Sequence, residues 1–234
     1  MFQSDPFSLI VVLVGLSLVA FVAMVATSYL KIVVVMSLIR NALGIQSIPP
    51  NMVINALAMI LTFYIMAPVV SESWGIAQKE LGQVAGQAGG AGAAQTQEQK
   101  PSMISLPTEA IGRSAEPFRK FLSEHTAPRE RAFFISTAET LWGKDGEPAK
   151  VDPESFWILL PSFCVSELTK SFQIGFLVYL PFIAIDIIVS NILLAMGMMM
   201  VSPVTISLPF KLLLFVMVNG WTLLIQGLVK GYLL

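Results

Sequence analysis

Apolar and polar positions are segregated along this chain rather than interleaved. No charged residue occurs from Phe7 to Leu30, and a second uncharged stretch runs from Asn51 to Val70. About 20 apolar helical residues cross the roughly 30 Å hydrocarbon layer of a bilayer, so each stretch is long enough to span one. A third stretch, Phe172 to Val201, is interrupted by Pro181 and Asp186, and a fourth, Val204 to Val229, contains Lys211. Gly44 and Pro49-Pro50 end any helix between the first two stretches. The first stretch is longer than a signal-peptide core and has no Lys or Arg before it, so it reads as a span. The pattern predicts an all-α membrane protein of helical hairpins. Its parts are an N-terminal hydrophobic region at 1–70, a polar insert at 71–155 and a C-terminal hydrophobic region at 156–234.

The insert reads as two parts. Gly75 to Lys100 is rich in Gly, Ala and Gln and buries too little to order itself, so a loop is expected over 75–100. Helices are expected over 106–142. Thr108 is a candidate cap for the first, and Thr126 with Pro128 a candidate start for the second. Gly143 to Pro153 reads as a charged loop.

Composition agrees with this division. Hydrophobic residues make up 55% of the 234 positions and charged residues 12%, about half the share in soluble domains. Residues 71 to 155 carry 21 of the 29 Asp, Glu, Lys and Arg residues. Lys31 and Arg40 in the first connection place it in the cytoplasm by the positive-inside rule, and the insert then lies outside. A net charge of -1 argues against a nucleic-acid partner. The lone Cys164 reads as a small buried residue, and the lone His125, among Glu124, Arg129 and Glu130, as a solvated one.

Each apolar stretch has one face unsuited to lipid. Lys211, Asn219, Thr222, Gln226 and Lys230 share a face of the fourth at 100° per residue, and Asn51, Asn55 and Thr62 share one of the second. Four helices offer little interior to satisfy these groups, so oligomerisation is expected. Asp186, Glu167 and Lys211 border or interrupt apolar stretches, where ionisable groups pair, line water or face protein. A Glu167–Lys211 pair between neighbouring subunits is expected, with Asp186 as the alternative partner of Lys211.

The run Met196-Gly197-Met198-Met199-Met200-Val201-Ser202-Pro203 stands apart. Methionine is unbranched and polarizable, and Gly197 and Pro203 loosen or break a helix. Irregular backbone at membrane depth is tolerated only inside protein or beside a water-filled cavity, so the run reads as a deformable seal in a conduit. Ordinary gap-filling core methionine is the competing reading. No phosphate-binding loop, zinc-protease motif or nucleophile elbow occurs, so no enzyme is expected, and no cofactor or metal.

Four motif clusters carry a family resemblance. They are Arg40-Asn41-Ala42-Leu43-Gly44 with Gln46, Ile48-Pro49 and Asn51; Pro161-Ser162-Phe163-Cys164-Val165-Ser166-Glu167-Leu168 through Phe172-Gln173-Ile174-Gly175-Phe176; Pro181-Phe182 with Asp186, the methionine run and Ser202-Pro203-Val204; and Pro209-Phe210-Lys211-Leu212 with Gly220-Trp221. The chain resembles the R-subunit family of type III secretion export apparatus, whose flagellar counterpart is the P subunit of the flagellar export gate. The resemblance implies a homopentamer that joins S and T subunits and a downstream export switch protein in a helical gate passing unfolded protein substrates. It implies insertion among membrane lipid in the bacterial inner membrane, with hairpins packed on one another largely above the bilayer plane. It also implies that Met196, Met198, Met199 and Met200 form a gasket around the closed pore. The Gly/Ala/Gln-rich loop lies outside the family pattern. Val201 stands where many relatives extend the methionine run. An independent channel or small transporter, and a pore-free membrane anchor, are the alternative functions.

Overall fold

A computed structural model describes residues 6–45, 48–90, 112–143 and 149–233. The described residues form helices without strands: α1 (Pro6–Val25), α2 (Tyr29–Ala42), α3 (Asn51–Gly90), α4 (Glu116–His125), α5 (Pro128–Trp142), α6 (Phe156–Ala195), α7 (Pro203–Met217) and α8 (Gly220–Lys230). The chain divides into two compact units, one of Met1–Ile65 with Leu160–Leu234 and one of Met66–Leu159.

In the first unit α2 is the hub. Ile32, Val35, Met36 and Ile39 recur at helical spacing and are fully buried. They pack with Ile54 and Ala58 of α3, Phe182 of α6, Phe215 of α7, and Leu224 and Leu228 of α8. Gly175 lets α6 approach closely, since a Cβ there would come within 2.4 Å of Leu38 Cδ1. The rest of the unit is poorly covered. Phe172, Phe176, Leu177, Ile187 and Ile192 of α6 are all more than half exposed, as are Ile60 and Phe63 of α3. Two described helices, Asn51–Glu80 and Phe156–Ala195, are long and apolar enough to cross a membrane, and α7 with α8 adds a third if the bent pair is one span.

The second unit buries Met66, Phe121, Leu122, Ala138, Ile158 and Leu159 and carries several polar ties. Arg131 of α5 donates to the Pro153 carbonyl at 3.1 and 3.2 Å and to Ser123 Oγ at 3.0 Å. Arg113 reaches Glu80 at 3.0 Å.

Several expectations are corrected. The first apolar stretch is not one helix: α1 ends at Val25 and α2 begins at Tyr29. Thr27 turns its hydroxyl onto the Ala23 carbonyl at 2.7 Å, a local bond that competes with the backbone ladder. Pro181 and Asp186 do not interrupt α6, which runs unbroken for 40 residues with Pro161 and Pro181 inside it. Proline removes one donor, but neighbouring helices make such losses tolerable in membrane helices. The stretch from Gly75 is helical as far as Gly90, where only a loop is expected from composition. Thr126 closes α4 with its hydroxyl on the Leu122 carbonyl at 2.6 Å rather than capping α5, whose N-cap is Ala127. His125 is half-buried against Phe121, with ring centroids 4.5 Å apart. Thr108, the remainder of the expected loop and part of the charged loop lie outside the described residues.

Candidate functional site

The site begins with how α6 ends. Gly197 takes a left-handed φ of 73°, which an L side chain adopts only at a cost. The Met198 N–H then donates to the Leu193 carbonyl at 2.9 Å and the Gly197 N–H to the Leu194 carbonyl at 3.0 Å. These two bonds are the Schellman closure of a helix. Pro203 opens α7 at its first position, where its missing N–H costs nothing. The methionine run is therefore the turn of a helical hairpin. Met196, Met199 and Met200 are 67%, 81% and 101% exposed, and Met198 is 41% exposed. They are not core of this chain, so gap-filling within it does not account for them.

Below the turn the hairpin is locked by charge. Asp186 lies nine residues before the end of α6 and Lys211 eight after the start of α7. An antiparallel hairpin brings them to one height, and Lys211 Nζ stands 2.7 Å from Asp186 Oδ2. Ser207 Oγ donates to Asp186 Oδ1 at 2.6 Å. Lys211 also donates to the Ala42 carbonyl at the end of α2, at 3.2 Å. A cation there complements the negative helix terminus.

A second knot forms around Glu167, which is fully buried. Lys31 of α2 pairs with Glu167 Oε2 at 2.9 Å and Lys170 with Oε1 at 3.2 Å. Tyr232, beyond α8, donates its hydroxyl to Oε2, and the Lys31 ammonium sits 3.8 Å from the Tyr232 ring centroid. Burial, followed by the adjacent carboxylate, pushes the Tyr232 phenol up, so it stays protonated and donates. Within the single chain Glu167 and Lys211 enter two separate pairs. Lys211 takes Asp186, its alternative partner, and Glu167 takes Lys31. The similar spacing of Asp186 and Lys211 from the turn, nine and eight residues, is the sequence signal for the first pair. Nothing local marks Lys31 or Tyr232, because their contacts with Glu167 are long-range.

The polar faces are redistributed. A bend of 59° separates α7 from α8, so Lys211 does not share a face with the α8 residues. Lys211 is buried, while Asn219, Thr222, Gln226 and Lys230 are exposed. Asn219 is the bend itself, with φ 52° and ψ 45°, a left-handed conformation that Asn tolerates better than most residues. Asn51 starts α3 and accepts a hydrogen bond from Arg40, and Asn55 is exposed. Cys164 is half-buried, its Sγ 3.7 Å from the Val25 carbonyl. Among the described residues no group of three or more His, Cys, Asp or Glu could hold a metal.

Long, under-covered apolar helices, ion pairs within them and an exposed apolar hairpin turn define a multi-pass helical membrane protein. Comparison narrows the class: residues 12–228 match the FliP family, and the chain belongs to it. It is 47% identical over 228 residues to the Yop proteins translocation protein R of Yersinia pestis, covering 97% of each chain. It is 44% identical over 225 residues to the hypersensitivity response secretion protein HrcR of Ralstonia nicotianae, covering 96% of each. It is 39% identical over 225 residues to the flagellar biosynthetic protein FliP of Pectobacterium carotovorum, covering 95% of this chain and 77% of that one.

Proposed function

We propose that the chain is a core subunit of the type III secretion export gate. It forms, with copies of itself and with S and T subunits, the inner-membrane conduit for unfolded secreted proteins. The secretion and translocation names of its relatives support this class of role. The exposed methionine turn carries the mechanism: four flexible apolar side chains stand at the tip of a hairpin whose legs are joined by the Asp186–Lys211 ion pair. Several such tips meeting around an axis would close an opening without rigid fit, and would hold water back by dewetting. The polar insert lies on the periplasmic side in this reading. The chain acts as a structural part of the conduit, and the energy for transport comes from other components.

Removing the chain from the bacterium that encodes it tests the role. Secretion of type III substrates should stop and return when the chain is supplied in trans. Undiminished secretion in its absence would assign the chain to an independent channel or an anchor instead.

A further inference from the structure

Four thioethers stand at the hairpin tip, and thioether sulfur is the group in the turn with covalent chemistry of its own. Leu, Ile or Phe would exclude water as well and would be inert to oxidants. Met196, Met199 and Met200 are largely exposed and Met198 is partly so, whereas Met36 on α2 and Met66 on α3 are buried. The run therefore presents sulfur where a small dissolved oxidant reaches it, and the core does not. A seal around a pore axis keeps this property after assembly, because it meets the water of the conduit on either side.

The turn also tolerates a change of polarity. Its backbone is closed by the Met198 N–H on the Leu193 carbonyl and the Gly197 N–H on the Leu194 carbonyl, and neither bond uses a methionine side chain. None of the four belongs to the buried cluster around α2. The legs below are joined by Asp186 and Lys211, groups that a peroxide leaves alone. Oxidation alters the surface of the tip and leaves the fold of the chain in place. In a seal that holds water back by dewetting, that surface decides the outcome. Methionine sulfoxide is polar, and leaving one polar group dry weighs against the dry state by about fivefold or more.

We propose that the methionine turn is an oxidation site, at which peroxides convert Met196, Met198, Met199 and Met200 to sulfoxides and so wet the closed gate. In each step the sulfur lone pair attacks one oxygen of hydrogen peroxide. An S–O bond forms, the O–O bond breaks, and the hydroxyl proton joins the departing hydroxide as water. Sulfur gives up two electrons and the peroxide takes them. Methionine sulfoxide reductases, one for each epimer, reverse the change. The proposal rests on the reading of the turn as a seal and extends it to a gate that registers oxidants.

The test uses the full chain with its co-expressed partners, assembled in liposomes and treated with hydrogen peroxide. Peptide mass spectrometry of the folded complex should show one added oxygen on methionines of the run before any on Met36 or Met66. Ion permeability of the resting gate should rise by about fivefold or more in the same samples and fall back when both reductases are added. Met196→Leu, Met198→Leu, Met199→Leu and Met200→Leu together should abolish the rise over that variant's own untreated level. Met52 and Met217 are exposed methionines of α3 and α7, and Met52→Leu with Met217→Leu should leave the rise in place. The proposal is overturned if the run stays unoxidised in the complex under peroxide that oxidises the unfolded chain. It is also overturned if the run is oxidised with no rise in permeability, or if the Leu variant shows the same rise. Met198→Ala, Met199→Ala and Met200→Ala together separate the two levels. A leak from Ala without one from sulfoxide overturns the oxidation site alone, whereas no leak from either overturns the seal as well.

Discussion

Replacing Glu167 by Gln keeps the shape of the side chain and removes its charge. Lys31, with a side chain 4% exposed, is then left without its counter-charge inside the protein. Breaking a buried pair on one side costs about 3–5 kcal/mol, because the remaining ion stays desolvated. For a chain of this size that corresponds to a fall in Tm of roughly 6–20 °C. The other partners of Glu167 rank below this. Lys31→Met leaves the carboxylate with Lys170 and Tyr232, and should cost about 1–3 kcal/mol. Lys170→Gln removes a partner that is 38% exposed, and should cost about 1 kcal/mol or less. The double variant Glu167→Gln/Lys31→Met should melt within about 2 kcal/mol of the unaltered protein, since a buried pair replaced on both sides is often neutral. The chain reports on itself: Cys164, its one cysteine, lies just before Glu167 on α6 and is half-buried. A thiol-reactive dye followed during heating in mild detergent reads its exposure. If Glu167→Gln melts with the unaltered protein, or if the two single effects simply add, the knot does not hold α2 to α6 as described.

Three further outcomes are expected. Lys211→Glu should lower complex yield, and Asp186→Lys should restore part of it while Glu167→Lys restores none; rescue by Glu167→Lys in a yield assay would reinstate a pair between subunits. Asn219→Gly should leave stability within about 1 kcal/mol, whereas Asn219→Val should cost roughly 1–2 kcal/mol, because a branched side chain is forced into left-handed backbone; equal melting of the two in the same dye assay would deny that the bend matters. Met198→Ala, Met199→Ala and Met200→Ala together should keep yield and admit ions through the resting gate, since the exposed side chains stabilise no core of this chain; low yield with normal membrane permeability would make the run ordinary interface packing.

The helical class was legible because twenty-residue apolar stretches leave a bilayer few other solutions. The methionine turn was legible for a similar reason: Gly197 and Pro203 are residues whose backbone limits act locally. Helix continuity was not. Pro181 reads as an interruption in any local pattern, yet α6 passes through it, because the decision lies with neighbouring helices that a pattern does not contain. The Glu167 knot was half legible. The cost of an unpaired carboxylate beside apolar sequence is a local fact, but its partners Lys31 and Tyr232 come from opposite ends of the chain. Helical-wheel reasoning failed at Asn219, where one left-handed residue turns α8 by 59° and removes Lys211 from the stripe that an unbroken helix would give it.

Native mass spectrometry of the chain co-expressed with its neighbouring export subunits, extracted in mild detergent, tests the central claim most directly. The account predicts a stable assembly containing five copies of this chain together with S and T subunits, in which α3 and α6 gain protection from hydrogen exchange relative to the lone chain. A strictly monomeric species, with those two helices as exposed as they are in the single chain, would contradict it.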